Sequence, residues 1–373
     1  VRIGIDARLA SAPRTGIGSY TANLIAALAR TGAPERFVLF TDVPPAAPAP
    51  PGCEYLVLPG TRRLLWTFGA LPGACRRAGL DLFHGTTNFE VPAFAGCPLV
   101  ATIHDLIPLR YPAAVSRRFR WLFRGLIGRA VRASRRVITV SEFTRREILE
   151  RHPGAAGKIV VVPNGVDPSF TAAGDPDADR RVRERHGLAG RYLLFVGVFE
   201  PRKNVPLLVD AFEILRHTHP EAVDLQLALA GGAGWRGEQI AAGVRSRGLE
   251  PAVRLLGYVP DADLPALYRG ATLAVVPSQY EGFGIPAIEA MACGAPVLAA
   301  NAAALPETVG DAGELFAPGD PGELAAHVAR LIAAPQRLAE LRARGLARAA
   351  AYTWDRAAAL TLATYRDALR EAR

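Results

Sequence analysis

The 373-residue chain is half hydrophobic, enough apolar material for two or three cored domains. It has no apolar run near the ~20 residues that a membrane-spanning helix needs. Its four cysteines (Cys53, Cys75, Cys97, Cys293) are scattered without a C-x-x-C pair, which argues against a disulfide framework or thiolate metal site and for a reducing, cytoplasmic compartment.

The net charge of +9 sits wholly in the first 150 residues, where 20 arginines face 10 acidic residues; the remainder holds 24 basic and 25 acidic side chains. That asymmetry fits an anionic partner for the first part, such as a membrane surface, a phosphorylated lipid or a nucleic acid, and equally a solvated basic face. Only Lys158 and Lys203 are lysines. Against an arginine background, a lysine marks a place where a compact ammonium is wanted.

In chain order, Val1-Arg-Ile-Gly-Ile-Asp6 reads as a strand rather than a signal peptide. Buried parallel strands are predicted at Arg2–Asp6, Phe37–Thr41, Leu99–Ile103, Val137–Val140 and Ile159–Val162, with a Pro-rich surface loop at Val43–Gly52. A second series follows at Tyr192–Gly197, Leu225–Ala230, Val253–Gly257, Leu273–Pro277 and Val297–Ala300. Helical stretches such as Gly18–Arg30, Val205–Arg216 and Ile285–Cys293 alternate with them, so the fold class is α/β with helices on both faces of parallel sheets. Pro163–Asp179, rich in Pro, Gly and Asp, is the break. The expectation is two Rossmann-like domains, 1–170 and 171–353, facing a central cleft, with a C-terminal helix at 354–373 that either stays with the second domain or crosses back to the first, which the sequence alone does not decide.

Several motifs fall at strand ends. Arg14-Thr-Gly-Ile-Gly-Ser-Tyr20 is a glycine-rich turn opening a helix, an arrangement that cradles phosphate or simply turns the chain; it is not G-x-G-x-x-G. His84-Gly-Thr-Thr-Asn88 and His104-Asp105 also end strands. His104 could accept a proton, donate a hydrogen bond or serve structure, and His84, Asn88 and Asp105 could line an acceptor site. In Ser116–Ser134, Phe119, Leu122, Phe123, Leu126, Ile127, Ala130 and Val131 recur at helical spacing among arginines with no acid, beside Trp121. Such a stripe either faces the core or lies on an anionic membrane.

Phe195-Val-Gly-Val-Phe-Glu-Pro-Arg-Lys-Asn204 runs from strand to helix, with Gly197 at the turn and Arg202 and Lys203 placed to neutralise a leaving diphosphate. The Gly257-Tyr258-Val259 turn is expected near the base of a nucleotide. The pairs Asp177/Asp179 and Asp261/Asp263 are read as linker and helix-capping residues rather than metal ligands. The most specific motif is Glu281-Gly-Phe-Gly-Ile-Pro-Ala-Ile-Glu289, where glycines 282 and 284 allow close backbone approach and the next helix offers free N–H groups. Its two carboxylates suit pairs of sugar hydroxyls.

These motifs, with Val140-Ser-Glu-Phe-Thr144 and Pro163-Asn-Gly-Val-Asp167, together resemble glycosyltransferase family 4, the retaining group with the GT-B fold, over nearly the whole chain. Within that family the chain is similar to bacterial mannosyltransferases of O-antigen and related polysaccharides. The resemblance implies that the first domain binds the acceptor and the second a nucleotide-diphosphate sugar, with GDP-mannose the first choice of donor and no metal or other cofactor. Glu281 then contacts the transferred sugar, Glu289 the ribose and His104 the sugar near its reacting carbon. The backbone of Gly282, Phe283, Gly284 and Ile285 joins Arg202, Lys203 and the Gly16-Ile17-Gly18 loop in holding the diphosphate. Gly197, Tyr258 and Val259 complete the donor site.

One departure from the family pattern is Val198, where many members carry arginine after the strand's glycine; Arg202 stands in as the second cation. The acceptor would be a saccharide or lipid-linked saccharide; a lipid-linked one would make use of peripheral contact between the basic first part and the inner face of the membrane, and a nucleic-acid partner is set aside because it explains none of the strand-end motifs. The alternatives are a UDP-sugar donor, a sugar-nucleotide epimerase that needs no acceptor, and a non-catalytic sugar-binding protein.

Overall fold

The computed structural model describes residues 1–11, 15–60, 62–111, 115–232 and 237–371; Arg14 of the glycine-rich motif and the last two residues of the C-terminal stretch lie outside them. The chain divides into two compact units, Val1–Gly165 with Thr353–Arg373, and Val166–Tyr352. The first crossing therefore falls inside the Pro163–Asp179 break, ahead of position 170, and the C-terminal helix belongs to the first unit. A Cβ on Gly165 would lie 2.3 Å from the Trp354 nitrogen, so glycine is what lets these two passes of the chain run side by side.

The first unit holds a seven-stranded parallel sheet: β1 (Arg2–Asp6), β2 (Arg36–Thr41), β3 (Cys53–Val57), β4 (Leu82–Gly85), β5 (Leu99–Ile103), β6 (Arg136–Thr139) and β7 (Ile159–Val161), in the order β3-β2-β1-β4-β5-β6-β7. Strands buried on both faces read as apolar runs, and alternate residues serve opposite cores. Phe37 and Leu39 join Ile3, Ile5, Leu24, Tyr20 and the C-terminal helix residues Trp354 and Tyr365 on one face. Val38 and Phe40 join Phe83, Leu71, Phe123 and Ile127 on the other. Gly4 leaves the space that Phe40 and Phe83 fill, for a Cβ there would stand 2.9 Å from each ring.

Two strands of this sheet are absent from the predicted apolar runs, although His84 reads as a strand end. β3 follows the Pro-rich loop as a half-buried edge, and β4 is only four residues long and ends in His-Gly. The helix Trp354–Arg370, capped by Thr353 accepting from the Arg356 amide at 3.2 Å, packs its Trp354, Leu362 and Tyr365 into the first core.

The second unit holds a six-stranded parallel sheet: β8 (Tyr192–Val196), β9 (Gln226–Ala230), β10 (Val253–Gly257), β11 (Leu273–Val276), β12 (Val297–Ala300) and β13 (Glu314–Phe316), ordered β10-β9-β8-β11-β12-β13. β13, three residues beginning with Glu, is again a short edge strand the sequence reading missed. Among the described residues no helix is long and apolar enough to cross a membrane.

One local expectation is corrected, and one open alternative is divided between the two faces. Asp263 does not cap its helix with its side chain; it pairs instead with Arg185 at 2.9 Å and His186 at 3.0 Å. In Arg117–Ala133, Phe123, Ile127, Ala130 and Val131 enter the core, but Phe119 and Leu122 of the same periodic stripe are 41% and 44% exposed.

Candidate active site

In a parallel α/β sheet, ligands bind beyond the carboxyl ends of the strands where the order reverses. In the second unit that point lies between β8 and β11. The sheet order thereby brings the loop after β8 to the loop after β11. A 3-10 turn at Pro201–Lys203 follows β8 and ends at Asn204, whose φ of 53° lies in the left-handed region. The Gln279 amide donates to the Arg202 carbonyl at 2.8 Å and ties the two loops together.

Lys203 Nζ donates to Glu281 Oε1 at 2.6 Å, and Arg202 Nη1 donates to Glu281 Oε2 at 2.9 Å. Arg202 also reaches Glu200 Oε2 at 2.8 Å and the Tyr280 carbonyl at 3.1 Å. Lys203 and Glu281 are both buried. Burial alone would push the Glu281 carboxyl up, but Lys203 and then Arg202 outweigh it and hold the carboxyl below its ordinary range. Two cations and one ionised carboxylate thus meet in one place.

Glycines shape the floor. Gly197 (φ 153°) and Gly231 (φ 152°) end β8 and β9, and a Cβ on Gly231 would lie 2.0 Å from the Gly197 carbonyl oxygen. A Cβ on Gly197 would lie 3.6 Å from Lys203 Nζ, so its bare backbone borders the ammonium. Gly231 was not among the predicted residues, although the Gly231-Gly232 pair directly after a strand was a visible signal. Gly284 (φ 102°) precedes the helix Ile285–Ala292, whose start has no side-chain cap, which leaves backbone N–H groups free of a capping side chain. The Phe283 ring is buried edge-on to Tyr352 at 5.5 Å and serves packing, so only its backbone remains for a ligand.

Glu289, inside that helix, receives a long hydrogen bond from Tyr268 at 3.5 Å. Burial, then the negative charges of Asp261 and Asp167, push its carboxyl up to about 8. Tyr258 and Val259 follow the edge strand β10, with Tyr258 73% exposed and Val259 buried. Asp179 is held by Arg269 through two 2.6 Å bonds, and Asp177 pairs with Arg180 at 2.9 Å.

The first unit has its own reversal point, between β1 and β4. His104 is buried there; its backbone N–H donates to Asn88 Oδ1 at 2.7 Å and its Nε2 lies 2.8 Å from the Thr86 carbonyl. A carbonyl only accepts, so Nε2 carries the hydrogen and Nδ1 is the ring's acceptor. Burial pulls the imidazole down to about 4, so it is neutral at pH 7. The Tyr20 ring stands edge-on at 4.5 Å.

One acceptor-site expectation changes, and two others acquire local partners. His84 is fully buried, with Nδ1 2.7 Å from the Tyr365 hydroxyl and Nε2 2.7 Å from Thr102 Oγ1; it joins the sheet to the C-terminal helix and is not placed to touch an acceptor. Asn88 (φ 52°) spends its side-chain oxygen on His104. Asp105 caps the next turn, accepting from the Ile107 amide at 3.1 Å. In the glycine-rich loop, Thr15 Oγ1 caps the helix by accepting from the Gly18 amide at 3.1 Å, so that amide is already engaged. A Cβ on Gly18 would stand 2.7 Å from the Leu9 carbonyl, whereas Gly16 has open space around it.

A charged network at the same edge was missed. Arg8 Nη2 lies 2.9 Å from Asp6 Oδ2 and 2.7 Å from Glu90 Oε2, and its guanidinium sits 3.9 Å over the Trp66 ring. Arg63 and Thr87 also bond Glu90.

Comparison with known proteins decides what these edges belong to. The family model described as Glycosyltransferase Family 4 matches residues 14–170, and that described as Glycosyl transferases group 1 matches residues 178–348. The chain is 34% identical over 291 residues to O-antigen chain mannosyltransferase B of Escherichia coli, covering 76% of this chain and 74% of that protein. The chain belongs to the family 4 glycosyltransferases.

This glycosyltransferase is also 34% identical to the D-inositol 3-phosphate glycosyltransferase of Segniliparus rotundus, over 77% of its own length and 64% of the relative's. The solved sucrose-phosphate synthase of Thermosynechococcus elongatus superposes with a TM-score of 0.79 at 26% identity, with full coverage of both chains. The two Rossmann-like units are therefore those of a GT-B glycosyltransferase.

Proposed function

We propose that this glycosyltransferase moves mannose from GDP-mannose, with retention and without a metal ion, to a saccharide or lipid-linked saccharide in cell-surface polysaccharide synthesis. The observation that carries the reading is the convergence of Lys203 and Arg202 on Glu281 at the reversal point of the second sheet. The identity to an O-antigen mannosyltransferase supports the choice of sugar.

In this account the diphosphate lies over the Gly282–Ile285 backbone and draws Lys203 and Arg202 from Glu281 as charge builds on the leaving phosphate. The freed Glu281 carboxylate accepts hydrogen bonds from the sugar. The acceptor hydroxyl attacks from the face the phosphate leaves, and that phosphate takes the hydroxyl proton. His104 offers Nδ1 to a sugar hydroxyl as an acceptor. Gly197 and the Gly257-Tyr258-Val259 turn border the nucleotide. The first unit takes the acceptor at an anionic membrane surface on the cytoplasmic side. Unchanged turnover in excess chelator is the expected result of the metal-free reading, and loss restored by a divalent cation would overturn it.

Glu289 serves the ribose hydroxyls. Its carboxyl is protonated below about 8 and ionised above it, and the carboxylate is the better double acceptor. Donor KM should therefore fall as pH rises through that value and be flat with pH in Glu289→Gln. Assayed above that pH, Glu289→Ala should raise donor KM by about 10-fold or more, the scale of losing a charged hydrogen-bond partner. An unchanged donor KM in Glu289→Ala would remove it from the nucleotide site.

A further inference from the structure

The helix Arg117–Ala133 carries Arg117, Arg118, Arg120, Arg124, Arg129 and Arg132 and no acidic residue. Among the described residues, Arg117, Arg118, Arg120 and Arg124 have no carboxylate partner, while neighbouring Arg110 pairs with both Glu147 and Glu150. Beside these arginines stand Phe119, Trp121 and Leu122, exposed by 41%, 64% and 44%.

Between this helix and the end of Glu142–Arg151 lies a cavity of about 600 Å³ lined by Arg120, Trp121, Arg124, Glu150, Arg151 and His152, among others. That volume is in the range of pockets that hold small ligands. The one acid in it, Glu150, is held by Arg110 at 3.0 Å, so the cavity presents an excess of guanidinium charge. Trp121 both lines the cavity and reaches solvent, with Arg124 5.5 Å from its ring centroid. A ligand headed by an anion and tailed by hydrocarbon matches both halves of this surface.

We propose that the cavity binds the phosphate of an anionic membrane lipid, with Phe119, Trp121 and Leu122 entering the apolar layer beside it. Guanidinium groups suit phosphate oxygens because they donate in pairs. Exposed aromatic and aliphatic side chains next to such charges add apolar burial in the membrane interface. This inference rests on the reading of the first unit as membrane-facing, and names the residues and ligand chemistry that the reading leaves open.

The test is vesicle co-sedimentation of the full chain, with phosphatidylcholine alone or mixed with phosphatidylglycerol. The parent should bind the mixed vesicles and ignore the neutral ones. Arg120→Gln with Arg124→Gln should weaken binding by roughly 30-fold, the effect of two basic groups at an anionic surface. Arg117→Gln with Arg118→Gln, an equal charge change outside the cavity lining, should weaken it clearly less. An equal loss in both double variants, or none in the first, would overturn the cavity while leaving the membrane reading standing. A parent that ignores anionic vesicles would overturn both. Thermal stabilisation by inorganic phosphate that depends on Arg120 and Arg124, without vesicle binding, would assign the site to a soluble phosphate and overturn the lipid. The nucleotide-dependent thermal shift, read on the same variants, should match the parent and reports on the transfer reading separately.

Discussion

Lys203→Ala should lower kcat by at least ~100-fold, the scale of removing one donor aimed at transition-state charge. Lys203 Nζ is buried, 2.6 Å from Glu281 and next to the bare Gly197 backbone, where water does not stand in for its charge and Arg202 approaches only the other carboxylate oxygen. The loss should be larger in kcat than in donor KM, because the charge it meets grows as the phosphate leaves. A second consequence has a definite sign. Burial raises the Glu281 carboxyl and Lys203 is the largest influence lowering it, so without the ammonium the Glu281 pKa must rise. Lys203→Arg should rescue only partly, since a planar guanidinium does not occupy the place of a compact ammonium. Steady-state kinetics on a variant with parent-like circular dichroism is the check. Turnover within a few-fold of the parent would take Lys203 out of the mechanism.

Arg8→Ala should be the most destabilising of the substitutions considered. Asp6 is fully buried and Glu90 is 1% exposed, and Arg8 bridges them while stacking on Trp66. Taking one partner from a buried ion pair strands the other charge and costs about 3–5 kcal/mol. Glu90 keeps Arg63 and Thr87, so Asp6 suffers most. In a unit of this size that cost is worth roughly 10 °C in the unfolding midpoint. Calorimetry should show the loss, and Asp6→Asn combined with Arg8→Ala should recover part of it, because the stranded charge is then gone. A midpoint indistinguishable from the parent would mean that the network is not an electrostatic keystone of the first sheet edge.

The fold was legible where strands are long and apolar. Tyr192–Val196 and Leu273–Val276 announce themselves because both faces of a parallel strand are buried. Cys53–Val57, Leu82–Gly85 and Glu314–Phe316 do not, since two are edge strands and the third is four residues ending in His-Gly. The residues of the second-unit site were legible as strand-end motifs, but the bond between Lys203 and Glu281 was not. That contact is created by the order that places β8 beside β11, and strand order is a long-range property.

The first unit was harder to read for a related reason. His84 and His104 both end strands, yet burial and the Tyr365 and Thr102 partners make one a structural joint, while the other is a neutral acceptor. Asp6 reads only as the end of a strand, and Arg8 carries no signal, because their partner Glu90 is contributed from the loop after β4, a strand that the apolar pattern did not reveal.

The most direct test of the central claim is a thermal-shift panel of GDP, UDP, ADP and their sugar conjugates without added metal, run on the parent and on Lys203→Ala. A ligand that binds only the folded state raises the midpoint once its concentration exceeds its Kd. The account predicts a rise with GDP and GDP-mannose in the parent and a much smaller one in the variant. A rise with UDP-sugars alone would keep the site and overturn the donor. No rise with any nucleotide, or an equal rise in Lys203→Ala, would contradict the placement of the diphosphate at Lys203, Arg202 and Glu281.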